Sequence, residues 1–248
     1  MSALITHAQG QDTPHYRPGH HFTPAQGWMN DPNGLLQHYP HDMIWGPMHW
    51  GHATSQDLLT WQEQPIALEP DALGMIFSGS AVIDTHNTSG LGQPGQAPWV
   101  AIFTHHDAQA EKAGRTDYQH QSLAYSLDEG ESWHKYAGNP VLPNPGLKDL
   151  RDPKVFWHTG TARWVMSLAA GDHIAFYTSP NLKDWTLQSR FGQGIGAHGG
   201  VWECPDLVEL QLDGKPYWVL LVSLVPGGPN GGSATQYFVG DFDGTHFI

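Results

Sequence analysis

Three acidic residues head three similar motifs. Asp31 lies in Trp28-Met29-Asn30-Asp31-Pro32-Asn33-Gly34, Asp152 in Leu150-Arg151-Asp152-Pro153-Lys154 and Glu203 in Trp202-Glu203-Cys204-Pro205-Asp206. Each opens a stretch that reads as a strand. If the three strands are equivalent members of a repeat, their carboxylates converge on one small cavity. Like charges held close raise the proton affinity of one member, so an acid and a base coexist in one site. Glycoside hydrolysis needs that pair: one carboxylate attacks while one carboxylic acid protonates the leaving oxygen. Asp-Pro and Glu-Cys-Pro also serve as plain turn residues that open strands. Three of them at matching places in a repeat favour the chemical reading over the structural one.

The elements that must position these residues repeat along the chain. A polar turn ending in an aromatic recurs at Ser55-Gln56-Asp57-Leu58-Leu59-Thr60-Trp61, at Ser126-Leu127-Asp128 leading to Trp133, and at Ser179-Pro180-Asn181-Leu182-Lys183-Asp184-Trp185. A looser copy closes the chain at Asp241-Phe242-Asp243-Gly244-Thr245-His246-Phe247. The intervals, roughly 50 to 70 residues, exceed a typical propeller blade and vary, as one plan with variable loops would. Strands are predicted at 77–84, 99–107, 121–128 and 133–136 in the second unit. The third unit has them at 153–159, 163–170, 173–179 and 185–190. The fourth has them at 205–212, 216–225 and 234–242, with a last strand begun at His246. Four antiparallel strands per unit is the blade pattern of a β-propeller. The first unit departs from it. Strands are predicted at 32–37, 48–55 and 61–68, but Pro40, Pro47 and no apolar alternation lie between Gln37 and Met48, so one strand is missing there.

Composition agrees with an all-β chain. The 248 residues include 29 Gly, 19 Pro and 11 Trp, and only 14% are charged. Helical bundles and coiled coils need more Glu, Lys and Arg on their exposed faces. Lys and Arg total 11 against 24 Asp and Glu, a net charge of −13, which disfavours a nucleic-acid partner. Cys204 is the one cysteine, so neither an internal disulfide nor a cysteine-based zinc site is available. No apolar run reaches the length of a membrane span. Met1 to Gly19 has no basic start followed by an apolar stretch, which predicts a cytoplasmic protein, or a secreted one if the N-terminus is incomplete.

Other signals carry less. Among 17 His, His105-His106-Asp107 contains a His-x-Asp pair, and His49 and His52 lie close together, yet no spacing is distinctive of a metal site. The run Pro226-Gly227-Gly228-Pro229-Asn230-Gly231-Gly232-Ser233 lacks the lysine of a phosphate loop and reads as a surface hairpin. Asn87-Thr88-Ser89 is a glycosylation sequon.

Taken together, Trp28 to Gly34, Phe77-Ser78-Gly79-Ser80-Ala81, Arg151-Asp152-Pro153, Trp202-Glu203-Cys204-Pro205 and Trp45-Gly46-Pro47-Met48-His49-Trp50-Gly51-His52-Ala53 resemble the blocks of glycoside hydrolase family 32, the β-fructofuranosidases. The resemblance runs from about His20 with all blocks in order. It implies a five-bladed propeller, of which about four blades are present, and a C-terminal β-sandwich that is absent. Residues 1–19 are then a tail and 20–248 an incomplete catalytic domain. By position, Asp31 resembles the nucleophile, Glu203 the general acid/base and Asp152 the transition-state stabiliser. Asn30, Gln37, Trp45, Phe77, Ser78 and Arg151 match positions that line the fructosyl pocket, and Arg151 beside Asp152 is expected to keep that carboxylate ionised. About a strand and a turn, on the order of ten residues, is absent near Gln37 relative to the family.

The resemblance implies a retaining glycosidase that releases terminal β-linked fructose from sucrose or from fructans of the inulin or levan type, with no metal and no cofactor. Its alternative is an inactive fragment or a fructoside-binding module that keeps the pocket without turnover. The expected partner is a fructoside, with neither nucleic acid nor membrane. An unfilled gap beside the fourth blade is expected to expose apolar side chains and to favour self-association.

Overall fold

The computed structural model of the chain describes Phe22, Met29, Asp31 and residues 46–248. The strand expected at 32–37, most of the shortened segment before Met48, and the predicted ligands Asn30, Gln37 and Trp45 lie outside the described residues.

Among the described residues, four antiparallel sheets follow one another along the chain as blades of a β-propeller. The first pairs β1 (Trp50–Thr54) with β2 (Gln62–Leu68). The second runs β3 (Met75–Ile83), β4 (Trp99–His106), β5 (Gln119–Ser126) and β6 (His134–Lys135), with a single short helix, α1 (Ala108–Lys112), between β4 and β5. The third runs β7 (Leu150–His158), β8 (Arg163–Ala170), β9 (Ile174–Ser179) and β10 (Thr186–Phe191). The fourth has β11 (Val201–Leu212), β12 (Lys215–Val225) and β13 (Ala234–Gly240). No helix among the described residues is long and apolar enough to cross a membrane.

Among the described residues the expected strands thus stand within a few residues of their predicted places, with one exception. The strand expected from His246 is a single bridge between Phe242 and Phe247. Both rings turn inward between the third and fourth sheets, so burial of two aromatics replaces a ladder there.

The repeated turn owes its shape to side-chain capping. Asp57 Oδ1 accepts from the Leu59 and Thr60 amides, Asp128 Oδ1 from Ser132, Asn181 Oδ1 from Lys183 and Asp184, and Asp243 Oδ1 from Thr245 and His246. In the first three copies a left-handed residue, Leu58, Glu129 or Leu182, completes the reversal. The donors hold the carboxyls of Asp57 and Asp128 down at a pKa of about 2.

The core lies between sheets, and strand periodicity distributes it. Along β4, Val100 and Ile102 pack toward the third sheet, while Ala101 and Phe103 pack toward the first. Along β8, Met166 and Leu168 belong to the cluster shared with the second sheet, and Val165 and Ala169 to the one shared with the fourth. Each such fully buried aliphatic side chain is worth about 1.5–3 kcal/mol relative to exposure.

Candidate active site

The innermost strands β3, β7 and β11 each carry a bulge at the same height. Phe77 and Ser78 stand between the paired residues Ile76 and Gly79, Asp152 and Pro153 between Arg151 and Lys154, and Cys204 and Pro205 between Glu203 and Asp206. Two residues oppose one in every case, which bends the strand and re-aims its side chains. Proline is tolerated at a bulge because the extra residue is outside the ladder. Asp152 and Cys204 take left-handed backbone conformations, φ 64° and 48°. Gly79 ends the first bulge where the β4 backbone comes so close that a Cβ would strike the Ile102 carbonyl.

This register corrects one expectation. The bulge places Cys204, not Glu203, at the position equivalent to Asp152, and Glu203 at the position equivalent to Arg151. The prolines set the bulge, and Glu203 lies one residue further from its proline than Asp152 does. Glu203 therefore reaches the site as the last paired residue before the bulge and meets its counterpart directly: Arg151 Nη2 donates to Glu203 Oε1 at 2.7 Å. Arg151 Nη1 donates to Asp149 Oδ1, also at 2.7 Å.

Even so, the predicted residues meet. Asp31, Phe77, Ser78, Arg151, Asp152 and Glu203 line one cavity of about 550 Å³, within the usual range for a small-molecule site. The Ser78 hydroxyl donates to Asp31 Oδ2 at 2.9 Å. The Cys204 thiol lies 3.6 Å from Oδ2 of both Asp31 and Asp152, so one sulfur touches two of the three carboxylates.

Asp152 is the buried member, 7% exposed. Its amide donates to Thr104 Oγ1, whose hydroxyl donates to Gln121, whose amide donates to the Leu150 carbonyl. Its Oδ2 accepts from the Cys204 amide at 2.9 Å. Burial pushes its pKa up to about 6, against the pull of Arg151 and the Cys204 amide and with a push from Glu203 and Asp31. Arg151 does pull toward the ionised form, in the expected direction, without offsetting burial in full. The guanidinium bonds to Asp149 and Glu203, and desolvation outweighs its field at Asp152. Burial and the surrounding carboxylates push the Cys204 thiol well above its ordinary value, so it stays protonated. Arg151 is partly desolvated, but Asp152, Glu203 and Asp149 hold it firmly in the charged form.

Several lining residues carried no sequence signal. Ser223, Val225, Ser233, Ala234 and Thr235 form one wall, so the glycine-rich segment ends on the cavity rather than only turning at the surface. Asp149 holds Arg151 from outside the motif. Of the histidines weighed as metal ligands, His105 is engaged elsewhere: its Nδ1 meets Ser122 Oγ at 2.7 Å and its Nε2 faces Asp71, while its neighbour His106 lies against Gln119 and Glu111. Asp107 caps α1. In the sequon, Asn87 is half-buried and bonds both backbone groups of Gly92, which accounts for its presence as a loop clamp.

Residues 21–248 match the sequence model of the glycosyl hydrolases family 32 N-terminal domain. The chain belongs to glycosyl hydrolase family 32. Its family relatives include a levanase of Bacillus subtilis, 57% identical over 94% of this chain and 35% of the relative. They also include an extracellular exo-inulinase of Aspergillus niger, 50% identical over 99% of this chain and 51% of the relative. The latter match extends over 278 residues against the 248 here, so internal segments of that family 32 relative have no counterpart in this chain. Among solved structures, the fructofuranosidase from Schwanniomyces occidentalis complexed with fructose is 42% identical and superposes with a TM-score of 0.84, covering 94% of this chain and 48% of that one. The chain thus spans about a third to a half of these family members.

Proposed function

We propose that residues 20–248 are the catalytic propeller of a retaining glycosidase that hydrolyses terminal β-D-fructofuranosyl bonds in sucrose or fructans, with 1–19 as a tail outside it. The observation that carries this reading is the meeting of Asp31, Asp152, Glu203 and Arg151 around one cavity. Asp31, oriented by the Ser78 hydroxyl, attacks the anomeric carbon of the fructosyl unit. Glu203 gives a proton to the departing oxygen, so the glycosidic bond breaks as the bond to Asp31 forms. Arg151 holds one Glu203 oxygen and thereby aims the other. Glu203 then takes a proton from water, which frees fructose from Asp31 with retained configuration. Asp152 fixes sugar hydroxyls and faces the positive charge that develops on the ring. The relatives named levanase and exo-inulinase support fructans as substrates. Such polymers call for action outside the cell, in place of the cytoplasmic expectation, and the position of the activity in a fractionated culture decides this.

The internal segments of the exo-inulinase that have no counterpart here favour a second reading: a fructoside-binding module that keeps the pocket without turnover.

Fructose release from sucrose and inulin by the whole protein tests the main reading. Glu203→Gln is expected to lower kcat by about 10²–10⁴-fold, the usual worth of a general acid–base group. Asp31→Asn is expected to abolish the covalent intermediate. Near-normal release by either variant sinks the assignment, and binding without release supports the second reading.

A further inference from the structure

His106 ends β4 directly behind the cavity wall. Its imidazole stacks on the Phe77 ring with centroids 4.2 Å apart and planes 2° from parallel. Phe77 lines the cavity and shares its bulge with Ser78, whose hydroxyl holds Asp31. No feature of the sequence had singled out this contact.

The imidazole is itself held from three sides. Nδ1 lies 3.2 Å from Gln119 Nε2, Nε2 lies 3.1 Å from Glu111 Oε2, and Tyr118 packs edge-on at 5.3 Å. Only 4% of the residue is exposed. With Gln119 donating to Nδ1, the remaining proton sits on Nε2 and points at the Glu111 carboxylate. Burial lowers the imidazole pKa despite Glu111, which keeps the ring neutral and its stack apolar. Turning the ring out of the Phe77 plane would break both polar contacts together.

We propose that His106 is a positioning residue of the site: it sets the plane of Phe77 and, through the shared bulge, the placement of the Ser78 hydroxyl on Asp31. The Trp50 indole donates to the Phe77 carbonyl at 3.0 Å and so holds its backbone, while the stacked imidazole, backed by β5 and α1, holds the plane of its ring. The inference rests on the fructoside reading of the cavity, because it assigns His106 a consequence for attack by Asp31.

The test compares His106→Asn, His106→Phe and Glu111→Ala in the whole protein, by kcat and KM on sucrose and by melting temperature. Asn keeps a polar group without the stack, and Phe keeps the stack without the polar contacts. The expected result is a fall in kcat of about 10–100-fold for His106→Asn with KM within about threefold, since a displaced reacting group costs turnover before binding. His106→Phe is expected to recover most of that kcat. Glu111 is half-exposed at the surface, so Glu111→Ala frees the imidazole without emptying the core and should cost about threefold to tenfold in kcat. Unchanged kcat in His106→Asn, equal losses in His106→Asn and His106→Phe, or an indifferent Glu111→Ala each overturn the inference. A wild-type protein that neither binds nor cleaves sucrose or inulin overturns the functional reading as well, and so separates the two failures.

Discussion

Along β8 in the third sheet, Trp164, Met166, Leu168 and Ala170 face the second sheet while Val165 and Ala169 face the fourth, and all six are buried. Along β12 in the fourth sheet, Leu220, Val222 and Leu224 are buried against the third, but Leu221 on the opposite side is 36% exposed. On the neighbouring β13, Tyr237 and Val239 are 69% and 57% exposed on that same side. Both middle strands are written as near-continuous apolar runs, the pattern of a strand covered on two faces. Among the described residues, only one of them is covered so. Residue type therefore states what a face is suited to, and the neighbouring layer states whether that face is buried. The difference bears on the site, because Asp152 comes from the sheet held on both faces and Glu203 from the sheet held on one. The Arg151–Glu203 pair and the Cys204 amide on Asp152 link them at the site, beside the Lys154–Asp206 pair and the apolar cluster that the two sheets share.

The largest expected effect lies on the covered sheet. Met166→Ala removes a fully buried side chain between two layers and should cost about 2–5 kcal/mol in a denaturant titration. A loss below about 1 kcal/mol would mean that the third sheet is no better packed than the fourth.

An intermediate effect of opposite sign is expected at Asp152. Its folded pKa of about 6 stands above the ordinary carboxylate value, so the native state binds more protons between those two values. Stability should then fall as pH rises from about 4 to about 6 and level off above, by roughly 1–3 kcal/mol in all. Asp152→Asn keeps an acceptor for the Cys204 amide and removes the buried charge. It should be the more stable protein at pH 7 while losing fructose release, and its stability should lack that fall. Equal pH dependence in the variant and the wild type would remove Asp152 as its source.

The smallest effect belongs to the open face. Leu221→Ser should change stability by less than about 0.5 kcal/mol, as surface substitutions do. It should nevertheless weaken any concentration-dependent association seen by sedimentation, since contiguous exposed apolar side chains favour contact between copies. A loss of several kcal/mol would show that this face is covered in solution.

Much of this was legible in the residues. Alternation located the strands, the Ser-x-Asp and Ser-x-Asn turns located their ends, and the three acidic motifs located residues that line one cavity, because these depend on neighbours a few residues apart. The exact partner of each acid was not legible. Proline placement shifts the β11 bulge so that Cys204 takes the place of Asp152, and only the paired ladder displays that shift. The roles of Asp149, Thr104, Gln121 and His106 were equally hidden, since each acts on a strand or ring far from it in sequence.

By itself the sequence determined strand order, the capped turns and which three carboxylates could do acid–base chemistry, all consequences of local backbone preference and side-chain type. Tertiary structure decided which carboxyl is raised and what holds Glu203. Those outcomes depend on desolvation and on contacts between sheets, and both exist only once distant strands have packed together.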